Sequence, residues 1–536
     1  MSVDVDVDVD AEHASRNLPD YYRTCAIVRR NRFRMYAPLN LQQKRHQKTK
    51  RWTSWLFVIM ALLVSSTLAP SVASAQSQEV TQFGPSSYLP SLHNNACSGK
   101  RPESNPFGVQ MYGVISTLKQ HNALQDSYSS YLRTSIEWGK VETSNVDPSQ
   151  YDWAPADANV RMGLNNCVHL IATIDTTPAW ATIGDARSPF QTDLLPEFVQ
   201  FMQAAVERYD GDGVDDAPDG LVVKYFELWN EPDAGGSPSG GGWGDYGERY
   251  GEMLKAIYPV VKAANPNAQV VIGGLAYDFF TDRPGGDGIF VRGFIDNVLA
   301  TGAGDSIDYM NVHYYPFVRH REEWTAGNSS GLIEKIDALK AKMAEYGVNK
   351  PLMVTEVGWH SNPIDSNPSN EDYQGRHIIQ LMTQSIAEGA AVVIWWPLFD
   401  QPDYQFKSGL ATGEGNLKAS HKVFVEANKR IGAGEFVQVV LPSSETENLE
   451  VYEFREAGTN KTFYVAWLNP IAPFNAAAVP TFDDTVTQTW QAPGTTARVF
   501  TKEGNLKQVV QDNSDGTVDG RINIVVGRNP IYIVID

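Results

Sequence analysis

Cysteine is scarce in this sequence, with only Cys25, Cys97 and Cys167 in 536 residues. None belongs to a C-x-x-C pair or carries the histidine partners of a metal site, so the chain lacks the signatures of zinc and thiol redox centres. Long hydrophobic runs are also missing. The most apolar stretch, WLFVIMALLV at Trp55–Val64, is short for a membrane-spanning helix. Basic residues thin out after residue 75. The first 75 residues hold 11 Lys and Arg against 6 Asp and Glu; taken from totals of 44 and 63, that leaves 33 and 57, a net of −24. A surface so acidic repels nucleic acid and anionic lipid, and leaves a neutral polysaccharide or a basic partner acceptable. The glycine-rich stretch AGGSPSGGGWGDY (234–246) lacks the Lys-Ser or Lys-Thr of a phosphate-binding loop.

What is present begins with a targeting pattern. Basic KRHQKTKR (44–51), the apolar segment and the small residues ending in Ala73-Ser74-Ala75 read as a secretory signal cleaved after Ala75. An uncleaved signal anchor is the alternative. The acidic VDVDVDVD repeat ahead of it has no core-forming pattern, and translation is expected to start at Met35. A secreted product with no membrane attachment after cleavage is therefore expected, retaining Cys97 and Cys167, either joined in a disulfide or with Cys167 free and buried.

From Phe107 onward, β-branched and aromatic runs alternate with amphipathic helical stretches, the pattern of repeated βα units. Eight runs are present: 107–112, 131–135, 168–174, 222–228, 270–274, 309–313, 352–356 and 391–396. The segments EFVQFMQAAVERY and GLIEKIDALKAKMAEYG between them place apolar residues at i, i+3, i+4. Residues 107–432 are thus expected to form an α/β domain, a (β/α)8 TIM barrel. After Gly432 six short strands without helices predict a small C-terminal antiparallel β-domain, sandwich-like, over 433–536. Residues 1–75 are the extension and signal, and 76–106 an N-terminal segment available to complete the β-domain.

Active sites of such barrels lie where strands end, at the C-terminal mouth. Glu231 follows the fourth run in KYFELWNEPD, and Glu356 ends the seventh in LMVTEVGWHS. A lone strand-end glutamate is more often a surface charge or a partner for arginine. Two on opposite staves can face each other across one cleft, which glycosidic bond cleavage requires. Tryptophan is plentiful, 13 residues, and suits both sugar stacking and core packing.

Asn230-Glu231-Pro232 after strand four, with Glu356 ending strand seven, resembles clan A of the glycoside hydrolases, the 4/7 superfamily. WNEPD and TEVGW look most like family 39 and its relatives. The resemblance implies a retaining glycosidase acting on a β-linked oligo- or polysaccharide, with Glu231 as acid/base, Glu356 as nucleophile and no cofactor or metal. It further implies Asn230 at the sugar 2-hydroxyl, Tyr315 of the His313-x-Tyr315 pair holding the nucleophile, and Arg133 beside that nucleophile. Trp396 would be the platform under the reacting sugar, with Trp395 its rival because neighbours on a strand face opposite ways. Glu231, in a drier wall, is expected to keep its proton until it donates it.

Several readings stay open. Arg133 could pair with Glu137 or Glu142 instead, and His313 could be a hydrogen-bonded barrel residue. Trp138 and Trp180 are candidate cleft walls, Trp153 packs a helix, and Trp243 is either a mobile flap over the leaving-group side or part of a surface linker. The acidic turn YDGDGVDDAPDG (209–220) could hold Ca2+ or be solvated. A non-catalytic carbohydrate-binding barrel and a transglycosylase are the competing functions.

Overall fold

The computed structural model describes residues 101–236, 242–277, 289–316, 331–364, 368–442, 448–459, 461–473 and 483–536. The acidic repeat, the apolar segment and Cys97 lie outside the described residues. Cys167 is disulfide-bonded, and its carbonyl accepts a hydrogen bond from the Arg101 amide at 2.9 Å.

Eight parallel strands make the first sheet: β1 (Phe107–Gln110), β2 (Tyr131–Glu137), β3 (His169–Asp175), β4 (Tyr225–Leu228), β5 (Gln269–Ile272), β6 (Met310–Tyr314), β7 (Leu352–Val357) and β8 (Ala390–Trp395). Their order, β5-β4-β3-β2-β1-β8-β7-β6, leaves one seam, which parallel bridges Val271–Tyr309 and Leu275–Val312 close. The expected (β/α)8 barrel is therefore present. These strands are apolar on both faces because one meets the helices and the other fills the barrel. Tyr131, Ile171, Tyr225, Val271, Met353, Val392 and Ile394 pack the interior together. Two residues further along their strands, Arg133 and Glu227 share the inward face of Tyr131 and Tyr225, so the lumen turns from apolar to charged towards the mouth.

The helices outside follow their sequence signals. Leu195–Arg208 has a proline in its first turn and buries Phe198, Phe201, Met202, Ala205 and Val206. Glu371–Ala387 is capped by Asn370, whose side-chain oxygen accepts the Tyr373 amide at 2.9 Å, and two acidic residues in its first turn complement the helix dipole.

The C-terminal region holds β9 (Glu435–Leu441), β10 (Leu449–Arg455), β11 (Thr462–Leu468), β12 (Thr487–Pro493), β13 (Thr496–Thr501), β14 (Leu506–Gln511), β15 (Arg521–Gly527) and β16 (Ile531–Ile535). Six of these form one antiparallel sheet, β14-β13-β16-β11-β10-β9, and β12 pairs with β15 apart from it. Eight strands replace the six expected. β12 and β14 escaped because Thr487–Pro493 and Leu506–Gln511 are polar and largely exposed, giving little alternation to read. No strand comes from residues 101–106.

The middle strands of the sheet are buried on both faces. Tyr452, Phe454, Phe463, Val465, Trp467, Tyr532 and Val534 join the barrel's main core, while Val451, Tyr464, Ala466, Ile531 and Ile533 pack with Trp490, Ile522, Ile524 and Val526 of the β12–β15 pair. Polar ties reinforce the first contact. The buried Arg376 guanidinium reaches both Asp484 oxygens at 2.7 and 2.8 Å and the Ile471 carbonyl at 2.8 Å. Gln384 donates to the buried Glu450 at 3.0 Å.

Arg376→Ala strands that carbonyl and loosens Asp484, whose exposure limits the loss. The expected cost is about 1–3 kcal/mol of unfolding free energy, measured by urea denaturation; an unchanged midpoint and slope would show the tie to be idle.

Candidate active site

At the mouth of the barrel one guanidinium uses all five of its N–H donors on side chains. Arg133 Nε and Nη2 grip the two oxygens of Glu227 at 2.7 and 2.8 Å. Nη1 reaches Gln110 Oε1 at 2.6 Å and Glu356 Oε1 at 2.7 Å, and Nη2 also donates to Asn230 Oδ1 at 2.9 Å. The readings that paired Arg133 with Glu137 or Glu142 are set aside by these contacts; those two bind Lys140 and Trp138. Glu356 Oε2 accepts the Tyr315 hydroxyl, so both its oxygens are held.

Backbone irregularities aim these groups. The register between β7 and β8 slips between Val354 and Val357, and that between β6 and β7 slips at Val312–His313. The slip lets successive residues Thr355 and Glu356 both reach the lumen, as a bulge does. Trp229 and Glu231 adopt φ of 73° and 46°, left-handed values costing on the order of 1–3 kcal/mol each. Trp229 is held there by its amide to Ile174 O and its indole to Arg187 O. Gly274 gives His313 its place, since a Cβ there would meet the imidazole at 2.0 Å.

Glu231 stands across from Glu356. His313 Nδ1 lies 3.1 Å from Glu231 Oε1 and 3.6 Å from Glu356 Oε2, and one oxygen of each carboxyl and the imidazole nitrogen all lie within 4.8 Å of one another. Glycosidases that work by double displacement hold their two carboxyls about 5–5.5 Å apart, and inverting ones about 6.5–9.5 Å apart. His313 Nε2 is 3.0 Å from Thr355 Oγ1, which donates to Glu227 at 3.2 Å.

Electrostatics correct one expectation. Burial alone would raise the Glu231 pKa, but the hydrogen bond and charge of His313, then Arg133 and Lys335, hold it below its ordinary value. The His313 pKa moves the other way: burial opposes the shift, yet Glu356 and hydrogen bonds to Glu227 and Glu231 lift it to about 9. Glu227, desolvated but gripped by Arg133 and His313, falls to about 2.

The aromatic residues separate. Trp396 places its indole N–H 2.7 Å from the Tyr112 hydroxyl and packs edge-on to Tyr315 and Tyr404. Trp395 is wholly buried, its indole donating to Ser408 O. Trp243 is no flap: it is 1% exposed and wedged among Phe190, Trp229 and Tyr250, where an indole's apolar area is best spent. Trp138 is likewise core rather than cleft wall, packed on Trp180, Phe190 and Phe198. Trp180 is half-buried, its indole on Glu142 O, and Trp153 stacks on Phe201.

Two site residues were missed, Glu227 and Gln110, which hold Arg133; Tyr112 adjoins Trp396. A glutamate inside the apolar run VVKYFEL was the available signal, because a carboxylate on a buried strand needs a cation.

Two side-chain groups have the spacing of a cation site among the described residues. One is Glu231, His313 and Glu356 themselves, with His313 Nδ1 3.1 Å from Glu231 Oε1. The other joins Glu207, in the last turn of the helix Leu195–Arg208, to Asp210 and Asp212 of the acidic turn; there Asp210, Asp212 and Asp216 accept amides of their own turn.

No protein-family model matches the sequence, and no curated protein does. Solved structures match the fold, and glycoside hydrolases are among them. The chain is similar to a family 39 glycoside hydrolase from the gut symbiont Bacteroides cellulosilyticus WH2, at 18% identity and a TM-score of 0.58, with 82% of each chain covered. It is similar also to a GH39 enzyme from Xanthomonas axonopodis pv. citri, at 14% identity and 0.52, covering 82% of this chain and 95% of that one. A GH39 β-xylosidase from Caulobacter crescentus aligns at 13% identity and 0.51, covering 83% and 98%. At such identities the likeness establishes the fold.

Because the His313 pKa rises on folding from its ordinary 6.5 to about 9, the native state holds a proton that the unfolded chain releases. Its contribution to stability is complete below pH 6.5 and is lost as pH climbs through 9. Urea unfolding of wild type and His313→Gln from pH 6 to 9.5 is expected to show wild type losing stability over that window and the variant a flatter profile; parallel profiles would place the proton elsewhere.

Proposed function

We propose that the chain is a retaining glycosidase that cleaves β-glycosidic bonds by double displacement. What carries the reading is the pair Glu231 and Glu356, their oxygens within 4.8 Å across the barrel mouth, one carboxyl anchored by Arg133 and Tyr315 and the other joined to a proton-bearing histidine. A binding module has no need of that arrangement. The likeness in fold to family 39 glycoside hydrolases supports it.

In the first step Glu356 attacks the anomeric carbon, the glycosidic C–O bond breaks, and the leaving oxygen takes a proton from Glu231. Glu231 and His313 hold one proton between them, so their titration belongs to the pair. The Glu356 charge heads the influences that raise the His313 pKa. As that charge is consumed in the ester, His313 releases its proton towards Glu231. In the second step water attacks the same carbon, its proton returns to the pair, and Glu356 is freed. Asn230, its oxygen fixed on Arg133, turns its NH2 to the sugar 2-hydroxyl, and Trp396 is the sugar platform. With an acceptor sugar in place of water the same ester gives transglycosylation.

We also propose export: the basic, apolar and small-residue succession ending at Ala75 supports a mature chain starting at Gln76. Among the described residues no helix is long and apolar enough to cross a membrane.

Glu231→Gln is expected to lower kcat about 10²–10⁴-fold on glycosides with poor leaving groups, with azide restoring turnover of activated ones as the β-glycosyl azide. Proton NMR of the wild-type reaction is expected to detect the β-anomer first; an α-anomer appearing first would make the enzyme inverting. Failure of every β-glycoside in a broad panel to react would remove the hydrolase reading.

A further inference from the structure

Beside the acid pair the barrel mouth encloses a cavity of about 240 Å³, lined among others by Gln110, Tyr112, Arg133, Asp175, Trp229 and Asn230. It is small for a multi-residue ligand and suits a single sugar ring. A larger depression of about 510 Å³ lies at the other end of the barrel, around Pro351 and Leu352 where β7 begins, and is far more open.

The chemistry of the small cavity is lopsided. Arg133 has no donor left for a ligand. Gln110 and Asn230 have each committed the side-chain oxygen to Arg133, which leaves their amide nitrogens as donors. Between them in the strand order, Glu137 and Asp175 are register partners at the ends of β2 and β3, on the inward faces of Arg133 and Ile171. Glu137 is bound to Lys140 at 2.6 Å. Asp175 is different, because its Oδ1 is buried and makes no hydrogen bond. Burial, then the neighbouring Glu137 charge, raise its pKa to about 7. An unpaired buried carboxyl oxygen is costly unless something supplies its partner.

We propose that Asp175 is a sugar-binding residue, taking a hydroxyl of a neutral pyranose in this cavity at the end remote from the reacting carbon. Amide donors and a carboxyl acceptor lining one cavity match the donor-and-acceptor character of sugar hydroxyls. A sugar carboxylate at this end would meet the Glu137 charge, which heads the charges acting on Asp175, so the glycone proposed is neutral; Arg187, which also lines the cavity, is the cation that a uronic acid would have to reach instead. The proposal deepens the glycosidase reading and rests on it for the sugar's orientation.

The test is a tryptophan-fluorescence titration of wild type, Asp175→Asn and Asp175→Ala. The ligands are methyl β-glucoside, methyl β-xyloside, their 3-deoxy and 4-deoxy forms and methyl β-glucuronide, with hydrolysis of the aryl analogues followed in parallel. Wild type is expected to bind the neutral parents at least about tenfold more tightly than the glucuronide. Asp175→Ala is expected to lose roughly tenfold on the parents while matching wild type on one deoxy sugar, the mark of a lost direct contact. Asp175→Asn, which preserves shape, should melt like wild type and fall between. Unchanged affinities in Asp175→Ala, an equal loss on every sugar, or a wild type that binds none would each overturn the proposal. A wild type that binds as expected and cleaves nothing would leave Asp175 standing and remove the hydrolase instead.

Discussion

A guanidinium sealed into the barrel organises this site. Arg133 is 1% exposed and must find its hydrogen bonds in protein, since removing a buried cation from water costs several kcal/mol unless partners compensate. Glu227 supplies the matching charge in bidentate form, the strongest geometry for that pair. With Glu227 satisfied in this way, the remaining donors of Arg133 fix Gln110, Glu356 and Asn230. Residues from β1, β2, β7 and the turn after β4 are thereby brought to one point, and none of them could shift alone without leaving a buried group unpaired.

The same network decides where the mobile proton resides. Three carboxyls, Glu227, Glu231 and Glu356, surround His313, and their summed field outweighs its burial. A barrel lumen makes this possible because low polarisability strengthens attraction among enclosed charges. The imidazolium in turn lowers the Glu231 pKa, so His313 and Glu231 do not acquire their states independently. Strain at Trp229 and Glu231 and the slipped register of β7 are tolerated because the packing around them, Trp243 included, leaves no other arrangement.

The eight barrel strands were legible because each is an apolar run bracketed by helical periodicity, and Glu231 and Glu356 because each ends such a run in a recognisable string. The polar strands β12 and β14 carried no comparable signal. Trp243 misled for a related reason: a tryptophan in a glycine-rich stretch looks exposed, whereas its indole fills a hole between Phe190, Trp229 and Tyr250 that no local pattern announces. Glu227 sat in plain view within KYFELWNEPD, and its importance follows only when the apolar character of the strand is taken as a demand for a buried cation.

By itself the sequence determined the order of elements, the barrel, the appended β-domain and which two glutamates stand at strand ends, because these rest on periodicity and strand position, properties of neighbouring residues. Tertiary structure alone brought one oxygen of each to within 4.8 Å of the other, and alone decided the use of all five Arg133 donors, the inward aim of Asp175 and the raised pKa of His313. Those depend on groups up to 223 residues apart in the chain sharing one dry enclosure, and a field that weak in water becomes decisive only once the barrel has closed around it.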